Sequence, residues 1–213
     1  MKLVIFGATG RIGREILDEA VRRRHQVAVV VRDASRLVLD HHCITVHAGD
    51  AGDPSTYSHV LHGSDALIAS LSARRDSDPS SVPRNARTLL DAAARAGVPR
   101  FAWVGGAGSL ETAAGVRVID DPAFPAAWKP EAEAQAAALD VFRASSVAVD
   151  WVYVSPAALL DDGERTGKYR IGADQLLVDA HGGSRISAPD FAIALLDRIE
   201  KNDRPRQRIS VAY

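Results

Sequence analysis

The first half of the chain alternates between two patterns of apolar and polar positions. Short unbroken apolar runs stand at 2–6 (KLVIF), 26–31 (QVAVVV), 43–46 (CITV), 66–70 (ALIAS) and 100–104 (RFAWV). Between them, segments 11–24, 54–61 and 83–97 repeat apolar residues at helical spacing. A run that is apolar throughout is buried on both faces, which is how parallel strands read. Strands alternating with helices predict βαβ units and a parallel sheet wound on both faces, and right-handed crossovers put the first five strands in the order 3-2-1-4-5. Helix ends are marked too: Gly97 stands at a C′ position with Pro99 behind it, and Asp53-Pro54 reads as an N-cap followed by a first-turn proline.

The second half is less periodic. Residues 105–128 hold glycines and prolines without a clear period and read as a long loop. An Ala-rich helix is predicted over 129–145, a sixth strand over 149–154, a helix over 188–201 and a last strand over 207–212. In 155–188, the glycine-punctuated runs GKYRIG and QLLVD predict a small hairpin. No internal repeat or linker interrupts the chain. The expectation is therefore one domain over 1–213, an α/β Rossmann-type doubly wound, mainly parallel sheet with a small C-terminal substrate lobe, in which 105–128 and 155–188 are the substrate-side loops.

Composition narrows the function classes. With 213 residues there is enough chain for a substantial core, and the net charge of -1 leaves no basic footprint for nucleic acid or an anionic membrane. Cys43 is the one cysteine, so no intrachain disulfide forms. No apolar run is long enough to span a bilayer and no cleavable leader is visible, so the expectation is a soluble cytoplasmic protein, monomeric or homodimeric, with a small-molecule substrate.

The candidate chemistry begins at VIFGATGRIGREI, residues 4–16. Gly7, Gly10 and Gly13 lie between the first strand and the first helix. In that context the first glycine lets the chain turn, the second lets backbone approach a pyrophosphate, and the third lets helix pack on strand. The N–H groups that open the helix, with Thr9, Arg11 and Ile12 around them, would hold the anion. The second strand ends VVVRD. Arg32 suits a ribose 2′-phosphate through paired charged hydrogen bonds, with Arg36 and Arg11 able to join it; Asp33 behind it keeps the 2′-hydroxyl of NAD(H) open. The cofactor expected is NADP(H), with NAD(H) as the other choice. Asp50 either accepts from an adenine amino group or caps the next turn. Ser70, Leu71 and Ser72 follow the fourth strand, where small residues let backbone pass near a cofactor. No metal site is expected: His41 and His42 are adjacent, would point apart on a strand and chelate poorly. Cys43 reads as a buried strand cysteine.

GATGRIG, VVVRD, GDAGDP, DAAARAGVPRFAWVGGAGSL, FPAAWKPEA, WVYVSPAAL and GERTGKYRIGADQLLVD occur in this order along nearly the whole chain. Together they resemble the atypical short-chain dehydrogenase/reductase superfamily, in the NAD(P)H-binding group that holds NmrA-like proteins, biliverdin reductase B and NADH-flavin reductases. GGAGSL with GERTGKY is the narrower part of the likeness and points to the flavin-reductase-like members.

The resemblance implies a Rossmann core and a nicotinamide cofactor, but the superfamily's usual Tyr and Lys, four apart, are missing. Four beyond Tyr57, Tyr153 and Tyr169 stand Leu61, Ala157 and Ala173, and Tyr213 is last. An ordinary ketone reductase would need another acid. Ser109 falls where the superfamily places its catalytic serine, or is a loop residue. Lys129 either neutralises a developing anion or holds a cofactor ribose, or only snorkels at a helix start. Pro156 would set backbone beside the nicotinamide. Hydride transfer to a flavin or quinone needs stacking more than a strong acid, and Trp128, Phe124 and Trp103 are candidate aromatic walls, Trp103 being the one inside a strand. The expected activity is therefore an NADPH-dependent reductase of a planar acceptor such as a flavin, with the 155–188 lobe closing over it. The alternatives are an NmrA-like cofactor sensor without turnover and, third, a sugar-nucleotide epimerase or dehydratase.

Overall fold

A computed structural model describes residues 1–37, 41–73 and 78–213. The apolar runs become strands β1 (Lys2–Phe6), β2 (Gln26–Val31), β3 (Ile44–Ala48), β4 (Ala66–Ala69), β5 (Arg100–Val104) and β6 (Asp150–Pro156). They pair in parallel, and β6 pairs on with β10 (Gln207–Ala212). The sheet order is β3-β2-β1-β4-β5-β6-β10-β8, where β8 (Arg170–Gly172) is antiparallel to β10. The predicted order of the first five strands is the observed one, and the fold is Rossmann-type.

Alternation along each strand sends side chains to two cores. Leu3 and Ile5 of β1, with Ala102 of β5 and Val154 of β6, pack against Ile16, Leu17 and Ala20 of helix α1 (Arg11–Arg22) and Phe191 and Leu195 of helix α5 (Ala188–Lys201). Val4, Phe6, Phe101, Trp103 and Tyr153 face the other side, with Leu89 and Leu90 of α3 (Ser81–Ala96) and Leu139 and Phe142 of α4 (Lys129–Ala144). Phe142 sits among four aromatics, its ring centroid 5.3 Å from Phe101, 5.6 Å from Trp103, 5.5 Å from Trp151 and 6.0 Å from Tyr153. Pairs of this kind add about 0.5–1.5 kcal/mol beyond the burial itself.

The caps follow the sequence signals where those are strong. Gly97 ends α3 at φ +72°, and Val98 N donates to Ala93 O at 2.9 Å, closing the turn behind it. Ser187 Oγ caps α5 by accepting from Asp190 N at 3.2 Å. Asp53 caps only a 3₁₀ turn, Pro54–Thr56, and the following helix α2 is Ser58–Leu61, so 54–61 is not one helix.

The predicted hairpin is not formed. Within GKYRIG, residues 170–172 join the main sheet as β8; QLLVD makes no strand. Instead β7 (Leu159–Asp161) pairs in parallel with β9 (Arg185–Ser187). Strands of three residues are too short to show a period, and the partner of each is set by the sheet it can reach. The GERTGKY segment is fastened to the α1 and α5 face. Arg165 forks onto Glu19 with two bonds of 2.9 Å, Thr166 and Gly167 donate to the buried Asp190, and Tyr169 donates to Asp197. No described helix is long and apolar enough to cross a membrane.

Candidate functional site

A cleft of about 1430 Å³ runs along the C-terminal ends of the strands, where α/β sheets bind ligands. One half is walled by the ends of β1 to β3 and the start of α3, the other by the ends of β5 and β6, the loop after β5 and the start of α4.

The glycine turn lies at the middle. Gly7 has φ +82°, and a Cβ there would sit 2.0 Å from the backbone oxygen of Ser70. Two constraints, the left-handed backbone and the neighbouring strand end, therefore exclude any side chain. A Cβ on Gly13 would meet Gly7 O at 2.1 Å, so this glycine packs α1 onto the turn from below and does not line the cleft. Gly10 is the N-cap of α1, and no side chain caps that end. The first-turn N–H groups of α1 thus have neither an intrahelical acceptor nor a capping side chain, an arrangement that fits a phosphate. Gly7, Thr9, Gly10, Arg11 and Ile12 all line the cleft there.

Arg32 and Asp50 line the first half, and Ser70, Leu71, Ser72 and Pro156 line the centre and the second half. Asp33 is absent from the walls: its Oδ1 accepts from Ser35 N at 3.0 Å and from Ser35 Oγ at 2.6 Å, capping the 3₁₀ turn Ala34–Arg36. Asp50 Oδ1 accepts from Gly52 N at 2.8 Å, so it serves the turn, while its residue still faces the cleft. The expectation that Arg11 joins Arg32 is corrected. Its guanidinium runs to the other end of the chain, donating to Asp162 Oδ1 at 2.8 Å and to Leu160 O at 2.9 Å. The side chain of Arg36 lies outside the described residues.

Ser109 and Lys129 are not among the lining residues. Ser109 is held from behind by the buried Arg208, whose Nη1 donates to its carbonyl at 2.9 Å and to its hydroxyl at 3.1 Å. Lys129 is exposed at the first position of α4. Phe124 and Trp128 do line the second half, and Trp128 is 56% exposed. Trp103 is fully buried core.

What faces the cleft at helical spacing on α4 is Glu131 and Gln135, a pair the Ala-rich pattern hid. Gln135 Nε2 donates to Leu71 O at 2.9 Å and to Glu131 Oε1 at 3.0 Å; its Oε1 accepts from Trp103 Nε1 at 3.0 Å. Glu131 Oε2 accepts from Ala73 N at 2.9 Å. Together they pin the segment after β4 to α4. An acid and an amide four apart beside an aromatic loop were the available signal.

No tyrosine lines the cleft among the described residues. Tyr57 is buried with its hydroxyl on Ala51 O, and burial pushes its phenol up to about 12. Tyr153 is wholly buried, donates to Gln135 O at 2.8 Å and has its phenol raised by burial; a Cβ on Gly105 would be 1.9 Å from its ring. Tyr169 is raised to about 12 by burial and by its bond to Asp197, and Tyr213 donates to Asp190 at 2.8 Å.

His41 and His42 do not point apart. They precede β3 in a turn, their rings stack at 4.7 Å, and their ligand atoms and Cys43 Sγ lie within 4.8 Å of one another. Cys43 is half-buried and lies one residue before β3, not inside it.

With this geometry in hand, the comparisons decide the family. The profile of the NAD(P)H-binding family matches residues 7–200. The chain belongs to this family. Among curated proteins it is 34% identical over 220 residues to YwnB of Bacillus subtilis, covering 99% of this chain and 98% of that one. A solved Bacteroides thetaiotaomicron structure provisionally named an epimerase is 34% identical with a TM-score of 0.90, covering 100% of this chain and 96% of its own. A Streptococcus pneumoniae structure provisionally named an NADH-flavin reductase is 33% identical with a TM-score of 0.84, covering 100% and 99%. The two solved structures carry different reaction names on one architecture, so the reaction has to be argued from the cleft.

Proposed function

We propose that this chain is an NADPH-dependent reductase that passes hydride to a planar acceptor such as a flavin or quinone. One observation carries the reading. One cleft joins the uncapped start of α1, suited to a phosphate, to a pocket walled by Phe124 and Trp128, and among its described lining residues no tyrosine stands between them to protonate an alkoxide. That arrangement disfavours ketone reduction and the epimerase reading, both of which lean on such an acid, and suits transfer between two stacked rings.

In this reading the first-turn N–H groups of α1, with Thr9, hold the pyrophosphate. Arg32 takes the 2′-phosphate, and Asp33, committed to Ser35, does not compete for the ribose. Leu71 and Ser72 flank the ribose and the ring, held in place through Gln135 and Glu131. Pro156, on the cleft wall, would set backbone beside the nicotinamide. Ser109 and Lys129 would act only from outside the walls, so the acceptor contacts fall to Phe124 and Trp128. NADPH, when bound, would supply a hydride, so that with one proton from solvent the acceptor would leave two-electron-reduced and the cofactor as NADP+.

The test follows NADPH oxidation by purified protein with riboflavin, FMN and menadione, and measures cofactor affinity on the same sample. Turnover with any planar acceptor supports the reductase. Tight NADP binding with none would replace it by an NmrA-like sensor.

A further inference from the structure

Charge is segregated along the cleft. Its arginines are Arg11, Arg32 and Arg84. Arg32 stands at the end of β2, and Arg84, on α3, is paired with Asp78 at 2.7 Å. Arg11 leans toward the second half but ends on the Asp162 carboxylate and the Leu160 carbonyl. The second half, where the acceptor would sit, contains no lysine, arginine or histidine among its described lining residues. Val104, Val118, Phe124, Trp128, Leu160 and Leu176 make it apolar. Its charged residues are Asp121 and Glu131, both carboxylates.

Among the described residues neither carboxylate has a cation in an ion pair with it. Asp121 Oδ1 accepts only from a backbone amide, Ala123 N, at 2.8 Å. Glu131 is bonded to Ala73 N and to the Gln135 amide. Of the nearby cations, Arg117 forks onto Asp120 at 2.7 and 2.9 Å, Arg143 and Arg208 both close on Asp174, and Lys129 is exposed at the start of α4, outside the lining.

We infer that the acceptor is an uncharged planar molecule, a flavin without phosphate or a neutral quinone, and that Asp121 and Glu131 reject phosphorylated flavins and polycarboxylates. The inference rests on the reductase reading above and adds its specificity. An apolar pocket alone would accept either flavin ring. The two carboxylates add the repulsive element that turns acceptance into discrimination, because a dianionic phosphate brought into this half meets like charge and no cation among its described lining residues.

Riboflavin and FMN share one ring system and differ by the phosphate, so they isolate the effect. With saturating NADPH, kcat/KM for riboflavin is expected to exceed that for FMN by about tenfold or more at low ionic strength, the gap narrowing as salt screens the carboxylates. In Asp121→Lys the FMN-to-riboflavin ratio should rise at least about fivefold; Asp121 is exposed and holds only a loop amide, so this change keeps the fold. FMN used as well as or better than riboflavin by the wild-type protein, or a ratio unmoved by Asp121→Lys, overturns the inference while leaving the reductase standing. NADPH binding with no turnover of either flavin or menadione overturns the reductase reading itself.

Discussion

The side-chain amide of Gln135 donates to the carbonyl oxygen of Leu71 at 2.9 Å, joining α4 to a loop 64 residues earlier in the chain. The same side chain accepts from the buried indole of Trp103 at 3.0 Å. Gln135→Ala strands both partners, and a buried polar group left without a partner costs about 1–3 kcal/mol. Urea unfolding should show a loss of at least about 2 kcal/mol. In the reductase assay the variant should lose kcat more than NADPH affinity, because the pyrophosphate end does not depend on this bond. An unchanged unfolding midpoint would remove Gln135 as the anchor of the loop.

Gly7 admits no methyl group. Its φ of +82° strains any L-residue, and the added carbon would lie 2.0 Å from Ser70 O, which is backbone of a central strand end. Gly7→Ala is expected to weaken NADPH binding by at least about 100-fold in a fluorescence titration, or to yield no folded protein. Circular dichroism separates the two.

Arg32→Glu addresses cofactor choice. Removing a charged contact to a phosphate and reversing its sign costs about 1.5–3 kcal/mol or more. NADPH affinity should fall by at least about tenfold while NADH affinity changes little. Equal losses for the two cofactors would mean that Arg32 supports the loop without reading the 2′-phosphate.

Glu19 sets an acid limit on stability. Burial works to raise its carboxyl, but hydrogen bonds from Arg165, Arg23 and Arg22 outweigh that and hold it at about 2, below its ordinary value of 4.5. A group lowered on folding contributes stability that is complete above its unfolded value and is lost as pH falls through the folded one. Between pH 4.5 and about 2 the protein should therefore lose on the order of 3 kcal/mol through this residue. In Glu19→Gln the neutral-pH stability drops and the slope of stability across that window flattens. A wild-type slope retained in the variant would assign the acid sensitivity to other carboxylates.

The parallel sheet was legible because each of its first strands is an unbroken apolar run between helical stretches, so period and order agreed. The turn at Gly7, Gly10 and Gly13 was legible for a related reason: glycine is demanded there by close backbone contacts, and those follow from strand, turn and helix in sequence. Arg11 shows where this stops. Its place in the loop was readable, but its partners, Leu160 and Asp162, come from a segment whose three-residue strand has no readable period. Ser109 was expected on the cleft because loop position cannot say which way a side chain turns, and Arg208 turns this one away. Glu131 and Gln135 were missed because an Ala-rich helix has a weak apolar face, and nothing in its spacing shows which side meets the β4 loop.

The fastening of GERTGKY to α1 and α5 bears on how relatives of this chain are sorted. Arg165 on Glu19, Thr166 on Asp190 and Tyr169 on Asp197 are mechanical fittings, set away from the cleft. A signature built on them recognises chains that bolt their C-terminal segment to the sheet in the same manner. It is blind to the few positions around Asp121 and Trp128 where acceptors would be told apart. A likeness confined to those residues reports the chassis and is silent on the chemistry.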